Sequence, residues 1–207
     1  MNQETYQNGL KHLLQIEPNF KKFNPAKKIN FFLRPEGFEG IASLVIEQQI
    51  SVQAAESIKR RVFDLMQNIS SKEFLKLNEI DLRQAGLSRP KISYLHGIAC
   101  LESDGLLNFE KIKQLDDISA RKELCKIRGI GEWTADCYLM ASLGRADIWP
   151  VGDIGLQESV RKLKNLKERP NVEDMTSLAR EWRPFRSIAA NLLWADYDEY
   201  NLSLIHI

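Results

Sequence analysis

Ile127-Arg128-Gly129-Ile130-Gly131-Glu132-Trp133-Thr134-Ala135 is the stretch on which the reading of this chain turns. Two glycines, one residue apart, interrupt helical sequence on both sides, so the segment reads as a hairpin between two helices. Glycine lacks a Cβ, and both Gly129 and Gly131 are expected to use positive φ and to allow close approach of another backbone. Ile130, between them, is expected to plug into the helix pair. The amides of Gly129 and Gly131, and of the first turn beyond them where Thr134 sits, would then face outward at a helix N-terminus. Such a terminus attracts anions. Downstream, Pro150-Val151-Gly152-Asp153-Ile154-Gly155-Leu156 places one carboxylate between glycines, ahead of another helical stretch.

Working outward, helical periodicity dominates. From Phe38 to Met66 apolar residues recur at three- and four-residue spacing: Ile41, Leu44 and Val45, then Ile58, Val62 and Leu65. Ser51 can cap the second of these segments. A short helix is expected from Asp81 to Ala85, ended by Gly86, and a longer one from Arg89 to Ser103. Ser119 is the expected N-cap of a helix through Lys126, with Glu132 to about Leu143 after the hairpin, so the motif as a whole runs over 119–143. Pro184 is expected to start a last helix reaching about Tyr197. Valine and threonine are too sparse for a substantial sheet, and no internal repeat is present. The expected fold class is all-α.

A chain of 207 residues predicts one domain or two small ones, able to bury a core without disulfides. Cys100, Cys125 and Cys137 show neither disulfide nor zinc spacing, which points to a reducing compartment. No apolar run approaches a membrane span, and Met1-Asn2-Gln3-Glu4-Thr5-Tyr6 is unlike a signal peptide. The expectation is a cytoplasmic or nucleoid-associated protein without a membrane partner. Net charge is +1, so any polyanion would be met by local clusters: Lys21, Lys22, Lys27 and Lys28; Lys59, Arg60 and Arg61; and Arg161 to Arg169. Each serves equally as a solvated face. His12 and His96 have no Cys, Asp or Glu partners at metal-ligand spacing, and no metal site is expected. Leu202-Ser203-Leu204-Ile205-His206-Ile207 is apolar after an acidic stretch and reads as a non-native tail. A single domain over 1–201 is expected, and His206 is given no role.

The hairpin is joined by other characteristic segments. These are Ile46-Glu47-Gln48-Gln49-Ile50-Ser51, Gly86-Leu87-Ser88-Arg89-Pro90-Lys91, the Asp153 region, and Trp182-Arg183-Pro184-Phe185-Arg186-Ser187 through Trp194. In this order and spacing they resemble the helix-hairpin-helix (HhH-GPD) DNA glycosylases, and within them the AlkA-type 3-methyladenine DNA glycosylase II family. The resemblance covers roughly residues 37–197. It implies two helical subdomains around a cleft, and a double-stranded DNA partner containing damaged bases, bound by a monomer. Some larger members carry an N-terminal β-rich domain, which is not expected here because only about 36 residues precede the matching region.

The resemblance also implies roles. Asp153 is the expected catalytic residue, stabilising positive charge that develops on the sugar as the N-glycosidic bond breaks. From its position alone it reads first as an ordinary N-cap; the two readings are compatible. Bifunctional relatives carry a nucleophilic lysine where Trp133 stands, so a monofunctional enzyme without lyase activity is expected. Trp133 and Trp194 are expected to line the base pocket, where electron-rich rings suit an alkylated, electron-poor purine. Gln49 is expected to be the wedge that fills the gap left by the flipped base. Gly129, Ile130, Gly131 and Thr134 are expected to meet a DNA phosphate, and hairpin carbonyls can hold a structural monovalent cation; no other cofactor is implied. Cys137 and Ile154 stand where well-known members have tyrosines, and Tyr138 or Phe38 are the residues that could compensate. Lys91 reads as a solvated lysine or a phosphate contact, and Arg186 and Ser187 are expected to pack or bond near the cleft. The expected reaction is excision of 3-methyladenine- or 7-methylguanine-type bases. Deaminated or mismatched bases on the same scaffold, or a non-catalytic DNA-binding module, are the alternatives.

Overall fold

The computed structural model describes residues 1–22 and 33–194, whose regular secondary structure is helical, with no strand among them. Lys27, Lys28 and the 202–207 tail lie outside the described residues. The helices are α1 (Gln3–Ile16), α2 (Gly37–Glu47), α3 (Val52–Phe63), α4 (Ser71–Phe74), α5 (Glu79–Gln84), α6 (Arg89–Ser103), α7 (Phe109–Gln114), α8 (Asp117–Cys125), α9 (Glu132–Ala141), α10 (Ile154–Leu163) and α11 (Val172–Leu178). A further helix, α12, occupies residues 186–194. None of these is long and apolar enough to cross a membrane. The chain divides into two compact units, Met1–Arg34 with Leu139–Ile207, and Pro35–Tyr138.

The Pro35–Tyr138 unit is built around α2, whose Phe38, Ile41, Leu44, Val45 and Ile46 are all buried. It packs on α3 and α6. Ser51 caps α3 as its sequence promised, accepting from the Ala54 amide. Ser88 does the same for α6 through Lys91. The helix before the hairpin starts earlier than expected. Asp116, not Ser119, is its N-cap, because the Asp116 carboxylate accepts from both the Ile118 and Ser119 amides at 3.0 Å. Ser119 then lies inside the first turn, where its own amide is already taken.

In the other unit, Asn2 caps α1 and accepts from Thr5 at 2.8 Å. Tyr6, Leu10 and Leu13 of α1 are buried. Trp182 anchors an aromatic cluster, edge-on to Phe20 at 5.4 Å and to Trp149 at 5.3 Å between ring centres. The last helix begins at residue 186 rather than at Pro184. Its start is fixed by Asp147, whose Oδ1 accepts from the Arg186 amide at 3.4 Å, so the capping carboxylate comes from a distant segment.

Glu17, buried at the end of α1, receives the Lys164 ammonium at 2.6 Å, and Lys164 also pairs with Glu181 at 2.9 Å. Burial alone would raise the Glu17 pKa, but the hydrogen bond and charge of Lys164, with help from Asn19, outweigh it and hold it below the usual carboxylate value. A depressed folded-state pKa contributes stability that is present above the unfolded-state value and is lost as pH falls through the folded one. Glu17→Gln is therefore expected to cost about 1.5–3 kcal/mol at neutral pH. Melting curves should show the gap to the parent chain closing below about pH 4.

Candidate active site

In the first unit, the loop 150–153 leads into α10, and Asp153 is its N-cap. Asp153 Oδ1 accepts the Leu156 amide at 2.6 Å, as a cap should. The same oxygen accepts the indole N–H of Trp194 at 3.0 Å, from the far end of α12. Two donors on one oxygen fix the plane of the carboxylate. The loop beneath it is also tied down: the Asp153 amide donates to Pro150 O at 3.0 Å, and Gln157 Nε2 donates to Val151 O at 3.1 Å.

The start of α12 is clamped to the segment that feeds this loop. Arg186 forks onto Asp147, with Nε to Oδ1 at 2.8 Å and Nη2 to Oδ2 at 3.0 Å. Ser187 donates its amide to Ala146 O at 2.9 Å, and its hydroxyl accepts from the Ile148 amide at 2.9 Å. One helix thus holds residues 146–148 at its beginning and Asp153 at its end. The expected bonding of Arg186 and Ser187 takes this form. Neither side chain is spare, since both fasten the carboxylate loop.

In the second unit, the hairpin matches its sequence in outline and departs from it in detail. Ile130 is buried, its amide bonded to Ile127 O at 3.0 Å. Gly129 has φ +94°, and a Cβ there would lie 2.4 Å from the Tyr94 ring. Gly131 departs from expectation: its φ is not positive, and a Cβ would meet nothing within 4 Å. The open space at Gly131 leaves room for an approaching molecule rather than for the protein itself. Thr134 is buried, and its hydroxyl accepts from Gln48 Nε2 at 2.9 Å. Its side chain therefore faces inward, so only its backbone is left to meet an anion.

Trp133, in the first turn of α9, is 37% exposed although it is a large apolar residue. Gln49 is exposed and has a left-handed backbone, φ +57°. Lys91 corrects the sequence reading. It is neither solvated nor turned to a phosphate, because its ammonium donates to Ile46 O and to Gln48 O, each at 2.7 Å. Burial there holds its pKa below the ordinary lysine value. An acceptor-rich helix end competes well for a cation, and nothing in the local sequence announced this one.

The two substitutes for missing tyrosines are committed elsewhere. The Tyr138 hydroxyl accepts from the Gly37 amide at 2.8 Å, and burial pushes its pKa far up. Phe38 is buried against Phe74. Cys137 is buried, while Ile154 is 61% exposed at the first position of α10. Two of the basic clusters contribute ion pairs within the protein: Lys59 pairs with Glu56 at 2.7 Å, and Arg161 with Glu158 at 2.8 Å. Among the described residues no group of three or more His, Cys, Asp or Glu side chains could hold a metal ion.

Comparison with known proteins agrees with this layout. The DNA-3-methyladenine glycosylase of Bacillus subtilis is 30% identical over 172 residues, covering 77% of this chain and 57% of that protein. This chain thus spans just over half the length of that relative. DNA-3-methyladenine glycosylase 1 of Schizosaccharomyces pombe is 28% identical, over 90% of this chain and 87% of its own. The structure of the Schizosaccharomyces pombe 3-methyladenine DNA glycosylase in complex with abasic DNA superposes with a TM-score of 0.79. It is 27% identical and covers 90% of this chain and 95% of that one. Residues 42–184 match the family described as HhH-GPD superfamily base excision DNA repair protein, and the chain belongs to that superfamily.

Proposed function

We propose that this chain is a monofunctional DNA glycosylase that extrudes and hydrolytically excises alkylated purines of the 3-methyladenine and 7-methylguanine type. The observation that carries the reading is the Asp153 carboxylate, held on one oxygen by the Leu156 amide and the Trp194 indole. Loss of a cationic purine leaves positive charge on the sugar, and a fixed carboxylate stabilises that charge without reorganising. It can also orient the attacking water. In this reading the half-exposed rings of Trp133 and Trp194 stack on the electron-poor base, while Gln49 fills the vacated stack. Gly129, Ile130, Gly131 and Thr134 meet a backbone phosphate through the hairpin. The naming of the relatives as 3-methyladenine glycosylases supports the substrate class.

The reaction stops at base removal because an indole at position 133 cannot form the Schiff base that lyase chemistry needs. Duplexes carrying single lesions, scored for abasic sites before and after alkali, test the whole reading. Methylated purines should be released with the strand intact until alkali is added. Release of uracil or mismatched thymine in place of methylated purines would overturn the substrate class. DNA binding without release of any base would leave only a binding module.

Trp194 has a separable part. Trp194→Phe keeps a ring but deletes the donor to Asp153. Single-turnover excision is expected to fall about tenfold, the value of one hydrogen bond to a charged acceptor. Affinity for a duplex with an abasic-site analogue should change little.

A further inference from the structure

The connection between α2 and α3 is held from two sides. Helix α2 ends at Glu47, Gln48 follows as its C-cap, and Gln49 takes the left-handed backbone that side chains rarely adopt. A helix end leaves carbonyls without helical partners. Lys91, from the first turn of α6, supplies one ammonium to two of the oxygens there, Ile46 O and Gln48 O, at 2.7 Å each. Such charge-assisted bonds are among the stronger ones a side chain makes.

The Gln48 side chain extends the same network to the hairpin. Its Nε2 donates to Gly129 O at 3.0 Å and to Thr134 Oγ1 at 2.9 Å. Gly129 is the left-handed residue of the turn, and Thr134 lies in the first turn of α9. One lysine and one glutamine therefore fasten three segments: the end of α2, the start of α6 and the hairpin. Gln49 is the next residue along, with its side chain exposed. A left-handed non-glycine residue persists where its surroundings over-determine it, and here they do.

We infer that Lys91 and Gln48 are positioning residues that hold Gln49 at a fixed offset from the hairpin, so that gripping the DNA backbone and filling the vacated stack happen in one geometry. This rests on the proposed glycosylase function. It assigns the two residues to extrusion of the base and not to bond cleavage. A loosened Gln49 would still let an already unstacked base reach the carboxylate, but would fail to hold out a base that can pair again. Displacements on the scale of an ångström are enough to cost large rate factors.

The test compares single-turnover excision of 7-methylguanine opposite cytosine with excision of the same base opposite a tetrahydrofuran abasic analogue, where no partner competes for it. Lys91→Met is expected to lose at least about tenfold on the paired duplex and less than about threefold on the unpaired one. Lys91→Arg, which keeps the cation, should restore part of the loss. Gln48→Leu should show the same split, and carries the test if Lys91→Met folds poorly. Adding Gln49→Ala to either variant should cost little more on the paired duplex, as expected for residues acting through one another. Equal losses on both duplexes, or full additivity with Gln49→Ala, would overturn the inference while the glycosylase reading stands. A parent chain inert on both duplexes would sink both together.

Discussion

Asp153→Asn is expected to reduce single-turnover excision of 7-methylguanine at least about a hundredfold, a loss of about 2.7 kcal/mol in transition-state stabilisation. The substitution is informative because it spares the structure. Asparagine is as good an N-cap as aspartate, and its Oδ1 can still accept from the Leu156 amide and the Trp194 indole. What disappears is the negative charge. A charge that matters only for the cap would leave the reaction almost untouched. A charge that faces a developing cation is worth several kcal/mol where water is excluded. Fluorescence anisotropy with an abasic-analogue duplex should show binding kept, and near-parental excision by this variant would remove Asp153 from the mechanism.

Gly129→Ala is expected to give the largest loss of stability, about 2–5 kcal/mol. The φ of +94° at this position is left-handed, and a Cβ would stand 2.4 Å from the Tyr94 ring. The first term costs about 1–2 kcal/mol, and overpacking against the root of a ring adds about 1–3 kcal/mol. Tyr94 carries the Arg128 guanidinium 6.0 Å from its ring centre, so displacing the ring disturbs the turn as well. Urea unfolding should show the midpoint falling with little change in slope. Gly131→Ala is the control: with ordinary φ and open space it should unfold close to the parent chain. Equal destabilisation by the two would mean that Tyr94 is not what makes Gly129 necessary.

Much of the helical layout was legible because it rests on periodicity and local caps. Ser51 and the segment from Arg89 to Ser103 appear where their sequence placed them. The failures have two causes, one a choice between neighbouring caps and the other a cap from a distant segment. Asp116 displaced Ser119 as a cap by reaching two amides at once, and Asp147 capped α12 from 39 residues away. A carboxylate that caps from another segment leaves no local signature. The same holds for Lys91, which a single sequence presents as a charge on a helix and which the fold spends on the end of α2. Short helices such as α4 and α7 hold too few residues for a period to show. At the site, residue types were legible and their bonding was not: the indole N–H of Trp194 on Asp153 joins residues 41 apart in sequence.

The four tryptophans divide into two optical populations. Trp149 and Trp182 are buried beside each other in an aromatic cluster. Trp133 is partly exposed, and Trp194 sits half-buried with its N–H on a carboxylate. Blue-edge emission therefore reports on the packed interior, and red-edge emission on the two rings assigned to the damaged base. Selective loss of the red component on adding lesion-bearing duplex, with acrylamide reaching only that component beforehand, would follow base capture in solution without any label on the protein or the DNA.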